Sequence, residues 1–421
     1  MDCAAGMDLA TTVAMTPMTL NDARALDAAD PLARCRDRFT IPDGVIYLDG
    51  NSLGVLPNAV PAALADTATR QWGERLIRSW NEGWIDAPAR IGAKIAPLVG
   101  AGADDVIVSD TTSANLYKLL VAALRADPAR RTIVSETGNF PTDLHIAEGA
   151  VASVPGARLK AVARGDLAAA IDGDTAVVLL THVHYKTADR FDMAAWTARA
   201  HDAGALMLWD LSHSVGAVPI DLSGSAADMA VGCTYKYLNG GPGAPAFLYV
   251  APHLQDRLAS PLSGWMGHAA PFAFEDAYRP ASGMKRWLAG TPPILAMAAL
   301  EAAVDLWAGV DQQQVAAKSA ALFDMLAAAG DSIGLECVSS HDSASRGSHI
   351  SFRHPDAYAL TQALIARGVI GDFRDPDVLR LGLTPLYLRH EDVWQAGEHL
   401  RAVIASEEWR DPRFAERLAV T

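Results

Sequence analysis

The stretch that decides the fold is Asp228-Met-Ala-Val-Gly-Cys-Thr-Tyr-Lys-Tyr-Leu-Asn-Gly-Gly-Pro-Gly243. Its apolar residues 229–233 predict a buried strand, and Lys236 follows that strand beside a glycine-rich loop. Enzymes with parallel sheets place reactive groups at such strand ends, and a lysine there is a candidate reactive amine. The alternative interpretation of Lys236 alone is a solvated surface charge, because most lysines are exposed.

A second apolar run, residues 205–209, predicts another buried strand, and it is followed by Asp210 and His213. An acid after one strand and a lysine after the next is the pairing that pyridoxal phosphate requires. The lysine binds the aldehyde as a Schiff base, and the carboxylate keeps the pyridine nitrogen protonated so that the ring accepts electrons. The two strands together therefore predict a pyridoxal phosphate site.

Composition restricts the class of protein. The chain has 421 residues, of which 50% are hydrophobic and 20% charged, and this favours a globular enzyme of about two domains. A net charge of −14 argues against binding to nucleic acid or to an anionic membrane. The four cysteines are scattered without a metal-binding spacing, which favours reduced thiols and no metal site. With no long apolar run and no signal peptide, we expect a cytoplasmic protein.

Predicted strands and helices alternate through the first three quarters of the chain. This alternation predicts an α/β fold, with a mostly parallel sheet covered by helices and ligand groups at the carboxyl ends of the strands. No GxGxxG motif follows an early strand, so a nicotinamide or flavin site is unsupported. Besides the two strands above, the predicted strands are residues 106–110, 132–136, 176–183 and 246–250.

The ends of the chain have a different pattern. We expect residues 1–20 to be disordered, and a helix over residues 21–35 with Asn21 or Asp22 as its cap. Residues 57–70 also predict a helix. A long helical pattern starts at Thr291 and ends near Gly330, and short strands and helices follow it. The predicted divisions are a disordered terminus (1–20), an N-terminal arm (21–57), a large domain (58–300) and a smaller C-terminal α+β domain (301–421).

Several other segments have both a structural and a functional interpretation. The turn around Ser52 is either a plain turn or a loop that faces the substrate. Thr112 and Ser113 at a helix start are either caps or a phosphate site. The segment around Trp80, rich in tryptophan, forms either a packed core or a cleft wall that stacks on an aromatic substrate. In the strand pattern of residues 378–383, Arg380 points away from its apolar neighbours and is either an ion-pair partner or a ligand for an anion.

Eight segments of the chain together are characteristic of one family. In chain order they are YLDGNSLG, DTTSANL, ETGNFPTD, WDLSHSVGAVPIDL, GCTYKYLNGGPGAPAF, GWMGH, AGTPPIL and LRLGLTPLY. With these segments, the chain resembles the kynureninases, of the bacterial type, within the fold-type-I pyridoxal phosphate enzymes. The resemblance extends from about Tyr47 to Trp394.

The resemblance implies a role for each candidate site residue. Lys236 would bind the cofactor aldehyde and then act as general base, Asp210 would pair with the pyridinium nitrogen, and Tyr235 would shuttle protons. Arg380 would bind the substrate α-carboxylate in a bidentate ion pair. Contacts with the rest of the cofactor and the substrate would come from Phe140 (stacking on the ring), Asp143, Thr181 and His213 (ring substituents), Thr112, Ser113 and Tyr235 (phosphate), Trp265 and Thr291 (phosphate, across a homodimer interface), and Ser52 and Trp80 (substrate aryl group).

The activity implied by the resemblance is hydrolysis of L-kynurenine, and of its 3-hydroxy form, to anthranilate or 3-hydroxyanthranilate and L-alanine in tryptophan catabolism. The alternatives are other activities of the same fold, a cysteine desulfurase or an aminotransferase. A desulfurase needs a nucleophilic cysteine on a mobile loop, whereas Cys233 and Cys337 lie in strand-like runs. A cofactor-binding regulator is the remaining class, and the chain has no DNA-binding appendage to support it.

Overall fold

The computed structural model of the protein describes residues 18–417, and its larger part is built on a seven-stranded sheet. The strands are β1 (Val106–Val108), β2 (Thr132–Glu136), β3 (Arg158–Val162), β4 (Thr175–Thr181), β5 (Leu206–Asp210), β6 (Met229–Gly232) and β7 (Phe247–Val250). Their order in the sheet is β1-β7-β6-β5-β4-β2-β3. The five strands β2 to β6 are parallel, and β7 is antiparallel to both of its neighbours. This confirms the predicted mostly parallel sheet.

Helices cover this sheet because their apolar sides pack on the buried strands. The helix Thr112–Ala126 contacts β2, β4, β6 and β7, and Leu116, Leu119 and Leu120 on it are fully buried. The other α-helices in the described residues are Leu20–Ala29, Val60–Asp66, Ala87–Ile95, Pro141–Ala152, Leu167–Ala170, Met193–Asp202, Pro252–Gln255, Ile294–Val304, Gln312–Asp331, Ala357–Ala366 and His390–Ser406. None of the helices found between residues 18 and 417 is both long and apolar enough to cross a membrane.

The smaller C-terminal domain contains an antiparallel sheet with one apolar and one polar face. Its strands, in the order β8-β9-β11-β10, are β8 (Glu336–Cys337), β9 (His349–Arg353), β10 (Asp372–Arg374) and β11 (Val378–Gly382). Alternate residues of a strand point to opposite faces. One face therefore carries Ile350, Phe352, Leu379 and Leu381, which are all buried. We call the other face, with His349, Ser351, Asp372 and Arg380, the polar face.

The N-terminal segment connects the two sheets. Ile46–Tyr47 pairs in parallel with Val369–Ile370, and Phe39–Thr40 pairs antiparallel with Leu56–Pro57. Between these pairs, the Gly54 N–H donates to the Tyr235 carbonyl at 2.7 Å. A Cβ atom on Gly54 would lie 2.3 Å from the Lys236 carbonyl oxygen, so only glycine fits this close approach of two backbones.

Two helix predictions are wrong in detail. The first helix is Leu20–Ala29 and its cap is Thr19, whose hydroxyl accepts from the Asp22 N–H, rather than Asn21 or Asp22. The predicted long helix is two helices, Ile294–Val304 and Gln312–Asp331, because the chain turns at Gly309 with a φ of 78°. The predicted end near Gly330 is confirmed, since the second helix ends at Asp331, and Gly330 packs on the Phe352 ring.

The remaining predictions concern the helix over residues 57–70, the N-terminus and the domain boundaries. The helix predicted over residues 57–70 is Val60–Asp66, continued by wider turns over Thr67–Arg75. The predicted disorder of residues 1–20 falls almost entirely outside the described residues. The predicted domain boundaries remain predictions.

Candidate active site

Lys236 and His213 form the centre of the candidate site. Lys236 follows β6 and His213 follows β5, so both lie at the carboxyl ends of adjacent parallel strands. The Lys236 Nζ and His213 Nε2 atoms are 2.8 Å apart. Burial, followed by the charge of Lys236, holds the pKa of His213 well below its usual range. Burial also lowers the pKa of Lys236, which favours the free amine.

Two carboxyl groups, Asp143 and Asp210, lie beside this pair and are both buried. Asp210 ends β5 opposite Thr181, and the Thr181 hydroxyl donates to Asp143 Oδ2 at 3.2 Å. Burial and the adjacent Asp210 raise the pKa of Asp143 well above its usual range. The Ser212 N–H donates to Asp210 Oδ1 at 2.6 Å. With its pKa raised, Asp143 holds its proton more readily than an exposed aspartate does.

Two aromatic rings flank the Lys236 amine. Its Nζ atom lies 5.9 Å from the centre of the Phe140 ring and 5.8 Å from that of Tyr235. Phe140 is 41% exposed, and its ring is nearly perpendicular to that of Tyr185, with centres 5.3 Å apart. An exposed aromatic ring beside the amine can cover a planar ligand. The adjacent Cys233, and then burial, raise the pKa of Tyr235, so the phenol keeps its proton.

The start of the helix Thr112–Ala126 offers an anion site at the same edge of the sheet. This helix follows β1, which runs in the same direction as β6 because β7 is antiparallel to both. Thr111 is the cap, and its hydroxyl accepts from the Ala114 N–H at 3.2 Å. In residues 18–417 the hydroxyls of Thr112 and Ser113 have no hydrogen-bond partner. Free hydroxyls at a helix N-terminus suit a phosphate group.

Arg380 and Ser52 are brought together on the polar face of the small sheet. Arg380 is fully buried, and its cross-strand neighbour Asp372 accepts from its Nε atom at 2.8 Å. Arg380 Nη2 donates to Ser52 Oγ at 2.9 Å, and Nη1 donates to the Tyr185 carbonyl at 2.6 Å. Arg374 donates to Asp372 at 2.6 Å, and its buried Nε atom has no partner among residues 18–417. Asp372 thus binds the Nε and Nη2 groups of the Arg380 guanidinium, which we call the fork, and a substrate carboxylate would use the same groups.

Three predicted residues lie apart from these groups. The Trp80 ring packs edge-on against Trp84 at 5.6 Å, while Trp265 packs edge-on against Phe272 at 5.7 Å and is 40% exposed. Thr291 is exposed. Within the described part of this one chain, none of the three shares a hydrogen bond or ring contact with the Lys236 and Arg380 groups.

Four further residues of the site are not among those predicted from the sequence: Asp49, His349, Asp372 and Arg374. Burial, followed by repulsion from Asp372, raises the pKa of Asp49 to about 7. His349 is fully buried beside His213, with ring centres 5.7 Å apart. The alternation of polar and apolar residues in β9 and β10 indicates three of these residues, because it puts His349, Asp372 and Arg374 on the same face of the sheet as Arg380. Asp49 lies outside these strands and has no such signal.

Comparisons with known proteins place this geometry in a family. Residues 315–400 match a family model described as the kynureninase C-terminal domain. The kynureninase of Burkholderia mallei (strain SAVP1) is 51% identical over 416 residues, which cover 96% of this chain and 100% of the relative. That of Pseudomonas fluorescens is 49% identical over 417 residues, with the same coverage.

Solved structures with the same fold are far less similar in sequence. A cysteine desulfurase from Thermococcus onnurineus NA1 has a TM-score of 0.75 at 17% identity, covering 89% of this chain and 98% of its own. A variant of C-DES, with glycine covalently linked to its pyridoxal phosphate cofactor, has a TM-score of 0.74 at 17% identity, covering 87% and 98%. At these identities the similarity establishes the fold, which confirms the predicted fold-type-I class.

Proposed function

The chain belongs to the kynureninase family, and on that basis we propose that it hydrolyses the Cβ–Cγ bond of L-kynurenine and of its 3-hydroxy form. The products are anthranilate or 3-hydroxyanthranilate and L-alanine, and the cofactor is pyridoxal phosphate. The observation that carries the proposal is that the half-buried Lys236 lies with the buried His213, Asp143 and Asp210 at one edge of the sheet. This group contains the amine and the carboxylate that the cofactor requires.

The residues present fit pyridoxal phosphate. The Thr112 and Ser113 hydroxyls lack hydrogen-bond partners in the described part of the chain, so each can bind a polar ligand. The groups that would hold the cofactor are Lys236 (aldehyde), Asp210 (ring nitrogen), Phe140 (ring face), Asp143, Thr181 and His213 (ring substituents), and Thr112, Ser113 and Tyr235 (phosphate). When bound, the cofactor supplies an electron-accepting ring that stabilises negative charge on substrate carbon atoms.

Lys236 and Tyr235 can move the protons of the reaction. Because burial lowers the pKa of Lys236, a larger fraction of its amine is free to accept the substrate α-proton near neutral pH. His213 lies 2.8 Å from the same amine and orients it by a hydrogen bond. Tyr235 holds its proton because its pKa is raised, so it can donate that proton to an oxygen or carbon that becomes negative.

Arg380 binds the substrate α-carboxylate in this proposal, next to Ser52. The planar guanidinium suits a carboxylate, and the Asp372 carboxylate that it already binds has the same chemistry. A substrate therefore displaces Asp372 from part of the fork or shares Arg380 with it. The role of Trp80 at the aryl end of the substrate rests on the family resemblance alone.

The active form in this proposal is a homodimer in which Trp265 and Thr291 complete the phosphate site of the partner. In support, both side chains are exposed in one chain, and the nearby Phe272 and Phe274 are 54% and 79% exposed. Light scattering should give a dimer mass. If the sites are shared, a mixture of inactive Lys236→Ala chains and Trp265→Ala chains should regain activity after exchange, because one site of each mixed dimer is intact.

The test of the proposed activity is incubation of the cofactor-loaded protein with L-kynurenine, following anthranilate fluorescence and the release of L-alanine. Sulfide from L-cysteine, without anthranilate from kynurenine, would instead indicate a desulfurase. Burial raises the pKa of the thiols of Cys35, Cys233 and Cys337, so each has a small thiolate fraction and is a poor nucleophile. Cys3 lies outside the described residues.

A further inference from the structure

His349 is a fully buried histidine on the polar face of the small sheet, and the proposed function gives it no role. It begins β9 two residues before Ser351, which pairs with Arg380 across the sheet. Its ring lies edge-on to the ring of His213, with centres 5.7 Å apart and an interplanar angle of 62°. The small sheet thus places the imidazole of His349 beside that of His213, which contacts Lys236.

Three nitrogen atoms of these two rings are buried without a hydrogen-bond partner in the described residues: His213 Nδ1, His349 Nδ1 and His349 Nε2. Buried polar atoms almost always have partners, either in the protein or in ordered water. No hydrogen bond joins the two rings directly, and a water molecule commonly bridges polar groups at such a separation. The nitrogens of both rings can supply the partners that a buried water needs.

Both imidazole rings are neutral, and a water bound between two neutral rings can fix which nitrogen of His213 carries the proton. Burial, followed by the charge of Arg380, holds the pKa of His349 well below its usual range, so this ring is neutral like that of His213. A neutral imidazole has one donor and one acceptor nitrogen. If His213 Nδ1 donates to a bridging water, the His213 Nε2 lone pair faces the Lys236 amine, 2.8 Å away.

We propose that His349 is a positioning residue that fixes the tautomer of His213, and through it the orientation of the Lys236 amine, by a water molecule bound between the two imidazoles. The inference rests on the proposed function, in which Lys236 is the general base. Without this bridge, His213 can carry its proton on either Nδ1 or Nε2. Only the tautomer with the proton on Nδ1 leaves Nε2 free to accept a hydrogen bond from the Lys236 amine.

The alternative is that His349 only fills space, and apolar and polar replacements distinguish the two roles. His349→Phe keeps a ring of similar size and removes both nitrogens, and His349→Leu is a second apolar variant. His349→Gln keeps a donor and an acceptor. His354→Leu is the control, because His354 lies just beyond the same strand and packs on Trp409 at 4.9 Å.

The first measurement is the 15N NMR spectrum of the histidine rings in the cofactor-free full chain, with the His213 signals assigned from His213→Gln. We expect one His213 tautomer in the wild type, in His349→Gln and in His354→Leu, and a shift toward the other tautomer in His349→Phe and His349→Leu. Unchanged His213 signals in the folded apolar variants would overturn the inference, whether or not the protein cleaves kynurenine.

The second measurement separates kcat from KM in the cofactor-loaded enzyme. Loss of one orienting hydrogen bond should lower kcat about tenfold in the apolar variants and leave KM for kynurenine unchanged, while His349→Gln stays within about threefold of the wild type. Equal effects of Phe and Gln would show a packing role and reject the inference while leaving the proposed function intact. If the wild type itself does not cleave kynurenine, the proposed function fails, and the NMR result still decides the role of His349.

Discussion

Replacing Asp49 by Asn should change how the stability of the protein depends on pH. Asp49 lies beside Asp372 and Arg380, and its Oδ1 atom is buried without a partner in the described residues. Burial, then repulsion from Asp372, raises its pKa to about 7, whereas an aspartate in an unfolded chain has a pKa of about 4. Between these values the folded state binds more protons than the unfolded state, so stability falls as pH rises through the folded pKa.

The size of this effect follows from the shift. About three pKa units correspond to roughly 4 kcal/mol in total, of which roughly 2–3 kcal/mol is lost between about pH 5 and about pH 8. Asn resembles the protonated carboxyl and cannot ionise. The free energy of unfolding of the wild type, relative to Asp49→Asn, should therefore fall by roughly 2–3 kcal/mol over this range.

Urea unfolding followed by tryptophan fluorescence, at several pH values, measures this difference. The control is Asp43→Asn, because Asp43 is exposed in the same segment and solvent screens its charge. Its curve should run parallel to that of the wild type. If the wild type and Asp49→Asn also run parallel, Asp49 is ionised throughout, and the assigned environment of the polar face is incorrect.

Three further substitutions test the site and its supports. Lys236→Ala should lower turnover by about 10³-fold or more, because it removes the general base, and should abolish the visible absorbance of the bound cofactor; near-normal activity would rule out the mechanism. Arg380→Lys should raise KM for kynurenine roughly 10- to 100-fold with little change in kcat, since lysine cannot form the bidentate pair; an unchanged KM would exclude Arg380 as the carboxylate ligand. Gly54→Ala should destabilise the protein by about 1–3 kcal/mol in thermal or urea unfolding, because its Cβ would lie 2.3 Å from the Lys236 carbonyl oxygen. The matched control Gly149→Ala, in a helix with nothing within 4 Å, should instead stabilise it by about 0.5–1 kcal/mol, and similar effects of both would contradict the close approach.

Hydrophobic periodicity predicted most of the large sheet because its central strands are fully buried. The strand ending at Asp210 and the one before Lys236 are continuous apolar runs, and the parallel arrangement then brings both residues to one edge. The edge strand β3 was missed, because none of its residues is fully buried and its pattern contains charged residues. The turn at Gly309 was missed because the apolar pattern continues on both sides of it.

Contacts between distant segments could not be predicted in the same way. Asp372 meets Arg380 because of the register of two antiparallel strands, and Asp49 joins them from a segment more than 300 residues earlier in the chain. Each of these side chains has an ordinary local sequence context. Their burial, and hence the raised pKa of Asp49, results from tertiary packing that local pattern does not contain.

The N-terminal segment contacts both halves of the site. Its Ile46–Tyr47 strand is paired with Val369–Ile370, while the Gly54 N–H donates to the Tyr235 carbonyl and the Asn239 side chain donates to the Val55 carbonyl at 2.9 Å. Between these anchors, Ser52 donates to Asp372 at 2.6 Å and accepts from Arg380. The same ten residues therefore contact both the Lys236 loop and the Arg380 guanidinium. In the proposed function, a substrate carboxylate displaces Asp372 from part of this guanidinium or shares Arg380 with it, so we expect substrate binding to change the contacts of Ser52. Because this segment also binds the loop that carries the amine, we expect the change at Ser52 to affect that loop as well.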